Sequence, residues 1–347
     1  MREMTSPEAD SLTIRPYTPG DEEAILALLR VSLGEGPTGS RAPEFFRWKH
    51  LENPFGASVM LVAEADSRIV GLRAFMRWAF RSGDMRVRAV RAVDTATHPD
   101  YQGRGIFRRL TLEALELMKG DVDLVFNTPN KKSGPGYLKM GWREVGTVPI
   151  WVRPRHPLRL LARYRSVVRK GPASDATAPP SGGDPVEAAL SGSNNSLDGL
   201  VLDREAGSRL CTARDKRFLQ WRYARAPMMP YRAVVEEGPT EPRGIALFRT
   251  RSRGTLREAM ICELLVRPGD RATARRLLDK IAPIAQADHM TCHFAMSTTP
   301  FVVRHRSRFL RAPGGIALVT NALADGVWPA PTELDSWCLS LGDMELF

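Results

Sequence analysis

The sequence predicts an α/β protein built from a duplicated unit. Three observations carry this. Helical and strand-like periodicities alternate through the first half, residues of the second half answer to the first at one fixed offset, and a glycine-rich turn joins a strand to a long amphipathic helix. At 347 residues the chain is about twice the usual domain length.

In chain order, Asp21–Val31 reads as a helix with Ala24, Ile25, Leu28 and Leu29 on one face and acids in its first turn. Pro43–Leu51 reads as a short helix ended by Asn53-Pro54. Val59–Glu64, Ile69–Phe80 and Val87–Thr97 read as strands, Arg104–Lys119 as a strong helix, Asp123–Asn127 as a short buried strand, Ser133–Met140 as a short helix and Trp142–Val152 as a last strand. Pro157–Lys170 is basic and amphipathic, and Gly171–Asn195, rich in Ala, Pro, Ser and Gly, reads as a flexible linker.

The pattern then resumes. Phe45–Lys49 answers to Phe218–Arg222, Asn53-Pro54 to Ala226-Pro227, and Gly71 and Phe75 to Gly244 and Phe248, all at an offset of 173. Beyond a deletion of roughly four residues, Thr97-His98-Pro99 answers to Val266-Arg267-Pro268. The competing reading is two unrelated segments that share a helix-then-hairpin order. Trp48 and Trp221, which align, read as core plugs.

Composition narrows the partners. A net charge of +11 suits an anionic ligand. The basic residues are spread along the chain with few aromatics among them, so a nucleic-acid partner is not expected. No apolar run approaches the roughly 20 residues of a membrane span. The polar Met1–Asp10 lacks the layout of a signal peptide, and four scattered cysteines without a CxxC fit a reducing cytoplasm and no metal site. His289 and His293 are too isolated to suggest a metal pair. The 157–170 segment fits either a solvated helix between domains or weak contact with an anionic membrane surface.

Asp94–Phe107 carries the most chemistry. A strand ends at Thr97, His98-Pro99-Asp100 turns the chain, and Gln102-Gly103-Arg104-Gly105 opens a long helix. Backbone N–H groups and the helix dipole converge there on an anion, two glycines let a phosphate approach, and Arg104 adds charge. Gln102–Phe107 resembles motif A of the GCN5-related N-acetyltransferase (GNAT) superfamily, Gln/Arg-x-x-Gly-x-Gly/Ala, with Phe107 where the family has a small residue. Asn130-Lys131-Lys132-Ser133 followed by Tyr137-Leu138-Lys139-Met140-Gly141-Trp142 resembles the superfamily's ending, with Ser133 for Ala and Trp142 for Phe.

The resemblance implies a GNAT fold, a central mixed and mostly antiparallel sheet flanked by helices, here duplicated. It implies acetyl-CoA or a related acyl-CoA as acyl donor and an amine as acceptor. The donor would be held by Ala96, Thr97, Gln102, Gly103, Arg104, Gly105, Ile106, Phe107, Asn130 and Ser133. Asn130 would bond the pantetheine arm or a nearby backbone group, and backbone N–H groups of Val93–Thr97 would hold the oxyanion. Tyr137, whose type has a reference pKa of about 10, would protonate the departing thiolate, against a purely core-capping role. Asp94 is the first candidate for general base. His98 and a residue of the second half are the others. Residues 11–153 are thus expected to form the acyl-CoA domain, 154–196 a basic segment and linker, and 197–347 a degenerate GNAT-like domain. That second unit lacks the phosphate loop, having Pro268–Ala274 with Asp270 in its place. The tail Trp337–Phe347 resembles that of GNAT-like proteins linked to polysaccharide synthesis, which favours an amino-sugar acceptor. A plain edge strand is the other reading. A protein or peptide amine and a non-catalytic CoA-binding scaffold are the alternative functions.

Overall fold

The computed structural model describes residues 12–34, 41–155, 157, 175–177, 182–191, 200, 208–239, 241–253, 256–294 and 308–344. The first half contains β1 (Thr13–Pro16), α1 (Glu22–Leu33), α2 (Pro43–His50), β2 (Val59–Ala65), β3 (Arg68–Ser82), β4 (Met85–Thr97), α3 (Ile106–Met118), β5 (Leu124–Asn127), α4 (Gly134–Lys139), β6 (Arg143–Val148) and β7 (Trp151–Pro154). Then come β8 (Asp175–Thr177), β9 (Asp184–Pro185), α5 (Val186–Ser191), β10 (Leu210–Thr212) and α6 (Lys216–Leu219), which continues as a π turn through Gln220–Ala224. The second half continues with β11 (Arg232–Glu236), β12 (Gly244–Arg253), β13 (Leu256–Val266), α7 (Arg271–Ile284), β14 (His289–Cys292), β15 (Leu310–Arg311), β16 (Ile316–Ala322), β17 (Trp337–Cys338) and α8 (Leu341–Met344).

The two sheets follow one plan. One runs β1-β2-β3-β4-β5-β16-β6, the other β15-β7-β14-β13-β12-β11-β9. In each, a long antiparallel hairpin (β3–β4, β12–β13) is followed by one parallel neighbour (β5, β14). The next strand is borrowed. β16, late in the chain, inserts antiparallel between β5 and β6, while β7 inserts between β14 and β15. Each half lends a late strand to the other's sheet.

The repeat also sets the axis between the halves. Trp48 Nε1 donates to the Trp221 carbonyl and Trp221 Nε1 to the Trp48 carbonyl, both at 2.8 Å, across the 173-residue offset. Their rings stack with centroids 5.1 Å apart. Both belong to the core shared by the two halves, with Trp78, Phe80, Phe126, Phe218 and Trp337. Smaller cores lie under α3 and under α7. Gly71 and Gly244 bring these helices close to their sheets: a Cβ would stand 2.8 Å from Ile106 Cγ2 at the first and 2.9 Å from Thr273 Cγ2 at the second.

Three sequence expectations change. Trp142–Val152 is two strands in two sheets, because Pro149 between them has no N–H to continue a ladder. The expected linker holds structure: β8 pairs with β12, β9 with β11, and α5 buries Val186 and Leu190. Polar composition hid these short pieces. The tail is no edge strand beyond two residues. Leu339, Leu341 and Met344 are buried, and Arg91 donates to the carbonyls of Asp343 (2.6 Å) and Met344 (2.9 Å). Residues 158–170 of the basic segment lie outside the described residues. Among the described residues no helix is long and apolar enough to cross a membrane.

Candidate active site

The glycine-rich turn has the shape an anion site needs. His98 and Pro99 start a short 3-10 turn, in which the Asp100 amide donates to His98 Nδ1 at 3.4 Å. His98 serves the turn in this way. Gln102 Nε2 and Ser32 Oγ both donate to the Thr97 carbonyl, at 3.3 and 3.2 Å, tying the turn to the strand end and to α1. Gly103 and Gly105 have φ of 77° and 74°, which side-chain-bearing residues rarely adopt. A Cβ at either would meet no protein atom within 4 Å, so the loop borders open space. Arg109 N–H bonds back to the Gly105 carbonyl at 3.0 Å. The amides before it are those a helix leaves without an internal acceptor. No acid stands in the first turn of α3. Arg104 stacks over Tyr101 at 4.7 Å. The side chains of Ala96 and Ile106 are buried in the cores, which leaves their backbone for a ligand.

Phe107 is accommodated by glycine. Gly136 lies against its ring, where a Cβ would come within 3.3 Å. Phe107 meets Tyr137 edge-on at 5.7 Å, and Tyr137 leans on Trp142 at 5.2 Å. Tyr137 is 4% exposed. Asn130 Oδ1 accepts from the amides of Lys132 and Ser133, both at 2.9 Å, and so shapes the entry to α4. Ser133 Oγ also donates to Asn130 Oδ1, at 3.1 Å.

Between these pieces β4 leaves its neighbour. Its parallel pairing with β5 stops at Arg91–Phe126. On the other side, Thr95 pairs with Arg73 and Val93 with Ala74, so Asp94 is the extra residue of a β-bulge. The splayed edge beyond Arg91 frees backbone N–H groups for an oxyanion. An acyl-CoA fits this set: phosphates at the α3 amides, the thioester at the splay, Tyr137 at its end.

Asp94 is at the splay but is already engaged. Its Oδ2 accepts from Lys49 Nζ and from His50 Nε2, each at 2.9 Å, and Arg41 Nη1 lies 4.0 Å from Oδ1. Burial alone would raise its pKa, yet the Lys49 charge and the His50 hydrogen bond outweigh this and hold it well below the usual carboxylate range. Such a carboxylate is a weak proton acceptor. Burial also keeps His50 neutral, pushing its pKa down. The tautomer that satisfies both contacts has Nε2–H donating to Asp94 and Nδ1 accepting from Ser58 Oγ at 2.9 Å.

Sequence reasoning missed Lys49 and His50, which sit on α2 inside an apparent core run, although the repeat held a clue. Thr97 pairs with Gly71 and Val266 with Gly244, so Asp94 and Glu263 occupy matching places. At the repeat positions of His50 and Arg41 stand Tyr223 and Arg214. Tyr223 donates to Glu263 at 2.8 Å, and Arg214 Nε donates to it at 3.0 Å.

The family model described as an acetyltransferase (GNAT) domain matches residues 13–145. Residues 13–145 are a GNAT domain. Its family uses acetyl-CoA as substrate. None of the curated proteins matches the chain. Among solved structures the chain is similar to a GCN5-related N-acetyltransferase from Anabaena variabilis, with a TM-score of 0.62 and 13% identity over 90% of this chain and 73% of that one. It is similar to a probable N-acyltransferase of unknown function from Enterococcus faecalis, with a TM-score of 0.60, 13% identity and the same coverage. A GCN5-related N-acetyltransferase from Kribbella flavida gives 0.59 and 15% identity over 92% and 72%. At such identities the likeness is one of fold. It extends past the GNAT domain over both sheets.

Proposed function

We propose that the chain transfers an acetyl or related acyl group from CoA to a small amine, at the splay between β4 and β5 of the first half. The open N-terminus of α3, with its two left-handed glycines and Tyr137 across from it, carries this reading. The amine nitrogen attacks the thioester carbonyl, the C–N bond forms and the C–S bond breaks. The amides of the β4 edge hold the oxyanion, and the Tyr137 hydroxyl gives its proton to the departing sulfur. Asp94, caught between Lys49 and His50, anchors the bulge to α2 and does not serve as base. An amine that arrives neutral needs only to be positioned.

The second half, from about residue 197, does not bind CoA in this reading. It walls the acceptor cleft together with the chain's tail, and an amino sugar is the acceptor class we favour. A cytoplasmic setting suits the four free, buried cysteines. A CoA-binding scaffold without turnover is the second reading, favoured by the low exposure of Tyr137.

Calorimetry with acetyl-CoA, followed by CoA-thiol release over a panel of amines that includes amino sugars, tests the proposal. Micromolar binding and amine-dependent release are expected. Tyr137→Phe should lower kcat by about 100-fold with little change in acetyl-CoA affinity. Binding without release on any amine would leave the scaffold, and no binding at all would remove both readings.

A further inference from the structure

Arg73 is a cation that the mechanism above does not use. It lies on β3 opposite Thr95 and is 0% exposed. Its Nη1 donates to Thr95 Oγ1 and, at 3.4 Å, to the Val93 carbonyl, so it grips β4 on both sides of the bulged Asp94. Its Nε and Nη2 are buried without a hydrogen-bond partner among the described residues. Three rings enclose the guanidinium, Phe75 at 4.2 Å, Tyr137 at 5.4 Å and Phe107 at 5.7 Å. No carboxylate of the described residues pairs with it. Burial pushes the Arg73 guanidinium's pKa down, and the Tyr137 hydroxyl beside it works against that.

Burying an uncompensated charge costs several kcal/mol, and a fold that needs only packing puts an apolar residue there. The second half does that. At the repeat position of Arg73 stands Ala246, fully buried and paired with Leu264, in a half whose sequence has no tyrosine after Tyr231. The cation therefore goes with the tyrosine and not with the fold.

We infer that Arg73 is a positioning residue for Tyr137: it orients the phenol toward the thioester and holds the negative charge the phenol oxygen acquires on protonating the CoA sulfur. This rests on the acyl-transfer reading. The electron pair of the C–S bond goes to sulfur, which takes the Tyr137 proton. The phenolate stays beside Arg73 until it regains a proton, by way of water, from the nitrogen that attacked. Phe107, the departure from the family motif, covers the guanidinium and keeps water from screening it. The grip on Val93 and Thr95 fixes the guanidinium itself, so that its free edge stays turned to the phenol.

The test is a double-mutant cycle on the full chain, with acetyl-CoA and the best amine of the panel, or water where hydrolysis is the only turnover. Arg73→Met is expected to lower kcat by about 10- to 100-fold, with acetyl-CoA affinity within about threefold of wild type. Its melting temperature should equal or exceed that of wild type, since an unpaired charge is removed. Arg73→Lys should restore part of the rate. In a Tyr137→Phe background, Arg73→Met should cost nothing further. The same loss in that background, or a loss that comes with weaker acetyl-CoA binding and a lower melting temperature, would overturn the inference. Were Arg73→Met not to fold, Arg73→Lys would be compared in the two backgrounds with the same criterion. A wild type whose turnover ignores Tyr137→Phe would refute the proton donor itself, and turnover by no variant would refute acyl transfer. These failures are distinct from that of Arg73.

Discussion

The two halves share a backbone plan and differ in what fills it. In the first, the N-terminus of α3 faces open space behind two left-handed glycines. In the second, the N-terminus of α7 is closed by its own Asp270, whose carboxylate accepts from the Thr273 amide at 3.0 Å and from its hydroxyl at 2.7 Å. A phosphate would meet a charge of its own sign there. The bulge regions differ in the same way. Asp94 keeps a partly open edge, whereas Glu263 is sealed by Arg214, Tyr223 and the tail residue Ser340, whose Oγ donates to it at 2.8 Å. The tail lies where a Cβ on Gly342 would stand 3.1 Å from the Cys262 carbonyl, against the second half's own bulge. The same fold thus makes a site or a plug according to a few side chains, which is why function is argued from the site and not from the fold.

The sealed cluster should be the larger contributor to stability. Arg214 reaches Asp343 at 2.6 Å and Glu263 at 3.0 Å, with all three side chains at most 1% exposed. Arg214→Met leaves two buried carboxylates facing each other and should cost about 3–5 kcal/mol. Its repeat counterpart Arg41 is 4.0 Å from Asp94, and Arg41→Met should cost under about 1 kcal/mol. Denaturant unfolding of the two variants reads the difference, and equal losses would mean the halves are not the unequal pair described.

The second contrast concerns the ligand. Gly105→Glu puts a carboxylate and a strained φ into the phosphate loop and should weaken acetyl-CoA binding about 100-fold or more, close to 3 kcal/mol. Gly269→Glu makes the same change ahead of α7, at a φ of 84°, and should leave that affinity within about twofold. Calorimetry on both variants decides it. Loss in both would make α7 part of the CoA site.

The loop and the common plan of the two halves could be read from the sequence because both rest on local signals: glycines where φ must be positive, and aromatic positions that recur at one offset. The strand exchange could not. Periodicity shows that Trp151–Pro154 is extended but carries no information on which sheet accepts it. The 184–191 stretch was lost within a run rich in Ala, Pro, Ser and Gly that shows no hydrophobic period, although Val186 and Leu190 are buried. Lys49 and His50 were missed because their burial depends on Asp94, 45 and 44 residues away. Arg73 did leave a trace. It interrupts an apolar strand buried on both faces, where an unpaired charge is rarely accommodated.

The smallest contrast is one of pH. At matching places the first half has His50 and the second Tyr223, so at this place in the repeat only the first has a group that takes up a proton between pH 7 and 5. Burial holds His50 below its ordinary value, so the unfolded chain, with a histidine pKa of about 6.5, takes up the proton first. Stability from the neutral ring is full above that value and falls as pH drops through it, by at most about 1.4 kcal/mol per pH unit. Asp94, held low beside Lys49, adds a loss in the same direction, but only below about pH 4, where the unfolded carboxylate begins to protonate. His50→Gln keeps a polar side chain near Ser58 and Asp94 without the titration. It should be less stable than wild type at pH 7, and the gap should narrow toward pH 5, as unfolding midpoints at the two pH values would show. A gap that widens toward pH 5 would mean that His50 is protonated in the fold, paired as a cation with Asp94, and that the first half's cluster carries one more positive charge than its geometry implies.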